Sequence, residues 1–317
     1  MIKKDDHRRD AVSPPEGDRL VRAIVEDGAA RVVVAIATGV AREAARRHDA
    51  GPLAAVAMGR AATAALLLAT LTKDDERVTL QILGNGPLGT LTVDAGSAGT
   101  ARVFVTHPRF ALQSRAGGGA AAIAQAVGDK GVVNVVRDLG PGHDFSGQTP
   151  IVDGEVDTDV EHYLCQSEQI DSALGCETRL DARGGVAMAV GVLVQALPQE
   201  GGARYVKEAR ARLRAGALRD LPDDADVAAM ITAALGEDAG QVRLLAGELP
   251  LRFHCPCSRE RAASTLALLG EQDLLALIRD EGAADVTCEF CRARYDFTDA
   301  ALESIRQGLR RDAALPS

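Results

Sequence analysis

The sequence predicts an α+β protein: an N-terminal core of antiparallel sheets with packed helices, then a helical linker, then a small C-terminal zinc domain. Three observations predict it. Strand-like stretches follow one another through hairpin signals, with helices inserted between them rather than in regular βαβ alternation. Near residue 199 a Gln-Glu-Gly-Gly break opens a highly charged stretch. Beyond that, four of the six cysteines fall in two tight pairs, Cys255-Pro256-Cys257 and Cys288-Glu289-Phe290-Cys291. The expected boundaries are a disordered extension at 1–17, the core at 18–198, a metastable helical linker at 199–247 and the zinc-binding domain at 248–317.

Met1 to Asp10 is charged with no apolar stretch behind it, which reads as a lead-in and not a signal peptide. A strand is predicted over 31–38 and a short helix over 40–48. Pro52 opens a long helix that reaches residue 71, almost wholly Ala, Leu, Val and Met with Arg60 its lone charge, so it is expected to be buried on most sides. Lys73-Asp74-Asp75-Glu76 ends it. Residues 78–83 and 89–94 alternate as strands around Gly84-Asn85-Gly86-Pro87, where Asn-Gly suits the positive φ angles of a tight hairpin. A phosphate-binding reading of this loop is disfavoured, because no Walker Lys-Ser/Thr is present and no helix start follows. Gly117-Gly118-Gly119 reads as a flexible loop. Further strands are predicted over 102–106, 132–138, 172–181 and 186–197, with a helix over 157–169 that puts Val160, Tyr163 and Leu164 on one side.

The linker carries a basic block (Arg204, Lys207, Arg210, Arg212, Arg214, Arg219) running into an acidic one (Asp220, Asp223, Asp224, Asp226). Its apolar residues are sparse, so its helices gain little stability unless they dock elsewhere. In the last segment, 30 residues separate the cysteine pairs, and two short helices are predicted over 261–269 and 273–280.

Composition narrows the function classes. With 317 residues and 46% hydrophobic content the chain can build a real core in about two domains, yet aromatics are only 3% and Trp is absent, so that core rests on Ala, Val and Leu. A net charge of −9 repels a phosphate backbone and argues against nucleic-acid binding. The most apolar run, 61–71, falls short of the roughly 20 residues that span a bilayer, so no membrane role is expected. A cytoplasmic protein is predicted, in which clustered cysteines signal metal or redox chemistry.

Cys255, Cys257, Cys288 and Cys291 suit one tetrahedral Zn²⁺ held by four thiolates arriving from two short turns. Such a site leaves no open position for catalytic water. Binding worth about 10–16 kcal/mol rivals the roughly 5–15 kcal/mol stability of a whole domain, so losing the metal should unfold so small a unit. Arg252, Arg259, Arg261, Arg292 and Arg294 flank the pairs and are expected to lower thiol pKa. Each pair can also close as a disulfide, which leaves two readings open: a permanent zinc ribbon serving as an adaptor, or a switch that opens on oxidation. His254 as a substitute ligand would strain the turn. Cys165 and Cys176 read as small buried hydrophobes, with a third redox pair as the minority view. Ser146, Ser167 and Ser172 lack a Gly-x-Ser-x-Gly setting, so no catalytic triad is argued and no enzyme is predicted.

Phe253-His254-Cys255-Pro256-Cys257-Ser258-Arg259-Glu260-Arg261, with Val286-Thr287-Cys288-Glu289-Phe290-Cys291 and Tyr295-Asp296-Phe297, closely resembles the bacterial redox-regulated 33 kDa heat-shock chaperones. Gly84-Asn85-Gly86-Pro87-Leu88-Gly89, Arg137-Asp138-Leu139-Gly140, Ser146-Gly147-Gln148, Gln166-Ser167-Glu168-Gln169-Ile170 and the run 191–198 look like that family's core signatures, in order, from about 18 to about 305. The resemblance implies an ATP-independent holdase, inactive when reduced and zinc-bound. Oxidation would form Cys255–Cys257 and Cys288–Cys291 disulfides, the latter first, release the zinc and unfold the linker. It further implies unfolding client proteins as partners, and homodimers on activation. The polar N-terminal extension, the Ala-rich tail after Gln307 and the two core cysteines depart from the pattern.

Overall fold

Stretches in which Val, Leu or Ile alternate with polar residues pair into sheets here, while the Ala-rich stretches between them coil against those sheets. The computed structural model describes residues 17–25, 28–73, 76–110, 112, 120–138, 140, 144–237 and 242–313. The expected disordered extension before Gly17, the Gly117–Gly119 loop, Leu139 and the end of the C-terminal tail lie outside the described residues. The chain divides into two compact units, Met1–His254 and Cys255–Ser317.

In the first unit, β1 (Arg19–Val25) and β2 (Ala30–Ile36) lead into α1 (Thr38–His48) and α2 (Pro52–Leu68). There follow β3 (Arg77–Gly84), β4 (Thr90–Gly96), β5 (Thr100–Val105), α3 (Ala120–Val127), β6 (Gly131–Asp138) and β7 (Asp144–Pro150). The remainder is α4 (Val156–Gln166), β8 (Ser172–Leu180), β9 (Val186–Ala196), α5 (Gly202–Arg214), α6 (Val227–Leu235), β10 (Val242–Leu244), β11 (Leu249–Pro250) and β12 (Arg252–Phe253). One sheet runs β10-β1-β2-β9-β8, with β11 also on β1; the other runs β12-β5-β4-β3-β6-β7. All pairings are antiparallel except β12 on β5.

Helix α2 contacts strands of both sheets and is buried almost throughout, Arg60 included. Small residues let it approach closely: a Cβ at Gly59 would lie 2.6 Å from the Thr178 hydroxyl, and one at Gly191 would lie 2.6 Å from Thr63 Cγ2. The stretch Pro52–Leu71 is 20 residues and apolar enough to cross a membrane by length and composition, longer than the run measured from the sequence. It is 83% buried inside the protein, which makes it a core helix.

Several elements differ from expectation. The predicted tight Asn-Gly turn is a five-residue connection from Asn85 to Gly89, and the positive φ falls on Gly89 (72°) instead. Its glycines press on the end of α3. A Cβ at Gly86 would lie 2.3 Å from the Ala126 carbonyl, while the Gly86 and Leu88 amides donate to Val127 and Ala126 at 2.8 and 3.0 Å. The loop thus satisfies the carbonyls of a helix C-terminus, an electronegative end unsuited to phosphate. Strands β1, β7, β10, β11 and β12 and helix α3 were not expected. The helix predicted over 157–169 ends at Gln166, and Gln169 turns the chain at φ 56°.

Among the described residues, the linker expected to be helical over 199–247 holds two helices and then a strand, because β10 finds an open edge at β1. Its apolar complement is also larger than the sequence suggested. Tyr205, Val206, Ala209, Leu213, Leu218, Val227, Met230, Ile231, Ala234 and Leu235 are buried in one cluster with Val21, Val32, Val34, Val192 and Val194. Docking on the first sheet is therefore what gives α5 and α6 their stability.

The second unit holds α7 (Arg259–Ala267), α8 (Gly270–Asp280), β13 (Ala283–Thr287), β14 (Arg294–Thr298) and α9 (Asp299–Ala313), the last three not predicted. β13 and β14 form an antiparallel hairpin. Among the described residues, its buried hydrophobic cluster is Ala262, Leu266, Leu274, Phe297 and Leu302, with half-buried side chains such as Leu277, Ile278 and Ile305 packed around it. So thin a core needs another source of order.

Candidate metal centre

Cys255 and Cys257 sit on the extended segment before α7, whose first turn is fixed by the Ser258 hydroxyl accepting from the Arg261 amide. Cys288 and Cys291 sit on the turn between β13 and β14. That turn is closed by the Cys288 amide donating to the Ala293 carbonyl and the Arg292 amide donating to the Cys288 carbonyl, each at 2.8 Å. Arg292 takes a left-handed φ of 59° to make it. A non-glycine residue there accepts backbone strain to aim its neighbours' sulfurs inward.

The two turns bring all four predicted sulfurs within 4.8 Å of one another. Cys255 Sγ lies 3.7 Å from Cys288 Sγ, and Cys257 Sγ lies 3.2 Å from Cys291 Sγ. A tetrahedron with Zn–S bonds of about 2.3 Å has S–S edges of about 3.8 Å, so the spacing fits such an ion. The electrostatics agree. Hydrogen bonding to Cys255 and Cys288, together with burial, pushes the Cys291 thiol far up. Burial raises Cys257 as well, partly offset by the Tyr295 hydroxyl, which donates to its sulfur at 3.1 Å. Cys257 and Cys291 therefore hold their protons unless a cation replaces them, which is the behaviour of a soft divalent-metal site.

Two of the flanking arginines, Arg259 and Arg294, do not act as expected. Arg259 stacks on Phe297 at 4.4 Å from the ring centroid and donates to the Asp296 carbonyl at 2.6 Å, while Arg294 pairs with Asp285 and Asp296. The thiol pKa values shown move up, not down. Their guanidinium groups brace the hairpin. His254 is not among the clustered donors. Cys176 is buried on β8, where burial raises its thiol well above the ordinary value. Cys165 is half-buried on α4, 3.9 Å from an Arg210 nitrogen. Both are free, and neither joins the cluster. Sequence reasoning assigns Tyr295 no role; its place close to the second cysteine turn, on the strand that pairs with β13, is the available signal.

Fold and site together define an α+β protein with a small C-terminal unit whose four clustered sulfurs could hold one metal ion. The profile of the Hsp33 protein family matches residues 18–298. The 33 kDa chaperonin of Listeria monocytogenes serotype 4a is 35% identical over 298 residues, covering 91% of this chain and 98% of that protein. That of Bacillus subtilis strain 168 is 33% identical over 291 residues, with the same coverage. The crystal structure of the Thermotoga maritima 33 kDa chaperonin superposes with a TM-score of 0.79 at 30% identity, over 93% of this chain and 99% of that one. The chain belongs to the Hsp33 family and is a chaperone, a class that binds unfolded client proteins rather than turning over a substrate.

Proposed function

We propose that this chaperone is an ATP-independent holdase of the cytoplasm, switched by the redox state of Cys255, Cys257, Cys288 and Cys291. The observation that carries it is the closed set of four sulfurs in a unit where, among the described residues, the hydrophobic cluster has five buried side chains. When reduced, the four thiolates hold one Zn²⁺, which supplies the cross-link that the thin core lacks. Each pair then reacts within itself. Two thiolates give up two electrons to form one disulfide, while a peroxide takes those electrons with two protons from solvent and leaves as two waters. Cys288–Cys291 is expected to close first and Cys255–Cys257 second, as the family resemblance implies. Disulfide sulfur is a poor metal ligand, so the unit loses its order.

The segment 199–247 is the element this loosening reaches, and it acts as a metastable linker in this proposal. Its docked helices cover apolar surface of the first sheet, and their departure would present that surface to unfolding proteins. Activated molecules would pair as homodimers. The test follows zinc release and free thiols during peroxide treatment at heat-shock temperature, alongside aggregation of a denatured client. Zinc and thiols lost together, with suppression only in the oxidised protein, is the expected result. Zinc retained after full oxidation would favour the constitutive zinc-ribbon adaptor instead.

A further inference from the structure

Residues 249–254, the stretch covalently joined to Cys255, lie extended in a seam along the edges of both core sheets. Leu249 and Pro250 pair with Leu20 and Arg19 on β1; Arg252 and Phe253 pair with Thr100 and Ala101 on β5. Three amides anchor it: Leu251 donates to the Asp18 carbonyl at 3.1 Å, and Arg252 and His254 to the Gly99 and Ala101 carbonyls at 2.9 Å each. Side chains alternate. Leu251 and Phe253 are buried while Pro250 and Arg252 face outward. Leu249 and Leu251 line a cleft with Leu20, Leu66 and Ala69, and Arg47 lies over the Phe253 ring at 5.0 Å. Gly99 forms its floor: a Cβ there would lie 2.3 Å from the Pro250 carbonyl oxygen.

We propose that this stretch is a displaceable plug in a docking seam for a client segment that is extended, unfolded and bulky-apolar at alternate positions. The proposal rests on the chaperone reading above and adds, beside the sheet face under α5 and α6, a second place where an extended client segment would sit. The plug itself specifies the occupant. The backbone carbonyls of Gly99, just before β5, of Ala101 on it and of Asp18 are read by any polypeptide regardless of sequence, and the buried seats select two apolar side chains spaced by one residue. The seam opens only when the plug leaves, and the plug's tether is the residue before the first metal-binding cysteine. Disorder spreading from Cys255 therefore reaches it directly.

Arg252→Pro tests it, since the side chain faces outward and only the amide to Gly99 is lost. The probe is a fluorescein-labelled peptide of sequence Leu-Pro-Leu-Arg-Phe-His, read by anisotropy on the full-length, reduced, zinc-loaded protein. The variant is expected to bind it roughly fivefold or more tightly than the unaltered chain, the effect of one lost backbone hydrogen bond on plug docking. A peptide with aspartate at both apolar positions should not bind. Gly99→Ala, folded by circular dichroism, should abolish binding in reduced and oxidised forms alike. Equal binding by Arg252→Pro and the unaltered chain, undiminished binding by Gly99→Ala, or self-association of Arg252→Pro without peptide binding overturns the proposal. Should Arg252→Pro not fold, hydrogen exchange on the unaltered chain decides: the Leu251, Arg252 and His254 amides must lose protection on oxidation, and their retained protection in a client-suppressing sample refutes the plug while leaving the redox switch standing.

Discussion

Glu161 of α4 accepts a hydrogen bond from Arg210 Nε of α5 at 2.8 Å, with its carboxylate almost wholly buried. The same oxygen receives Arg214 at 2.9 Å, and its other oxygen takes the Leu174 amide of β8 at 2.9 Å. One carboxylate thus ties the core to the helix that follows residue 199. Arg210 and Arg214, members of the basic block in the sequence, are half of this clasp.

Glu161→Gln should loosen α5 without unfolding the core. The amide keeps its shape but loses the charge that two guanidinium groups share, a loss of about 1–3 kcal/mol for charged hydrogen bonds. Limited proteolysis of the reduced protein should cut faster within Gly202–Arg214 than within β8 or β9. Unchanged cleavage there would show that the apolar contacts of Tyr205, Val206 and Leu213 suffice alone.

Stability should fall as pH rises through the weakly acidic range. Burial, only partly answered by the Arg60 guanidinium that Glu155 shares with Glu177 and Asp157, pushes Glu155 from 4.5 up to about 7. Between those values the folded chain holds a proton that the unfolded chain has released, so each step up in pH favours unfolding, by at most about 1.4 kcal/mol per pH unit for one group. Asp159, pushed up to about 6 by burial, adds the same sign below that value. Urea denaturation from pH 5 to 8 should show the decline, and Glu155→Gln should flatten it above pH 6. An equal slope in the variant would place the titration elsewhere.

Legibility followed how local the determinants are. Strands such as β3 and β6 were readable because alternation is written in the strand itself, and α2 because seventeen residues carry one charge. β11 and β12 are two residues each and exist only through β1 and β5, more than a hundred residues away in sequence. α5 and α6 looked poorly apolar, because burial depends on which face meets the sheet and not on the count. The four cysteines were readable since each turn carries its own pair. Tyr295 was not, because its approach to Cys257 depends on the β13–β14 register that pairs it with Val286.

Cys288→Ser or Cys291→Ser should weaken metal binding and loosen residues 203–247 even in reductant. A hydroxyl in place of one thiolate leaves three soft ligands and a thin core to share the work of four. Zinc per chain after dialysis against a competing chelator should fall, and proteolysis of that segment should quicken. Full zinc content with unchanged resistance would remove these sulfurs from the ligand set.

Tyr295→Phe isolates the hydroxyl on Cys257. The donor is matched to an electron-rich sulfur: burial and the bond to Cys257 push the phenol pKa up, so it stays protonated and keeps donating. Such a bond draws charge from a thiolate and blunts its nucleophilicity, while orienting it toward the metal. Losing it should lower zinc affinity by about tenfold, within the range seen when partners of metal ligands are removed. The phenylalanine ring keeps its packing place, so melting of the reduced, metal-loaded protein should shift little. Cys257 should then lose its thiol to peroxide sooner than in the unaltered chain, read by alkylation and peptide mass at timed intervals. If affinity and oxidation order both stay the same, the hydroxyl is a bystander, and the protection of Cys257 must come from burial alone.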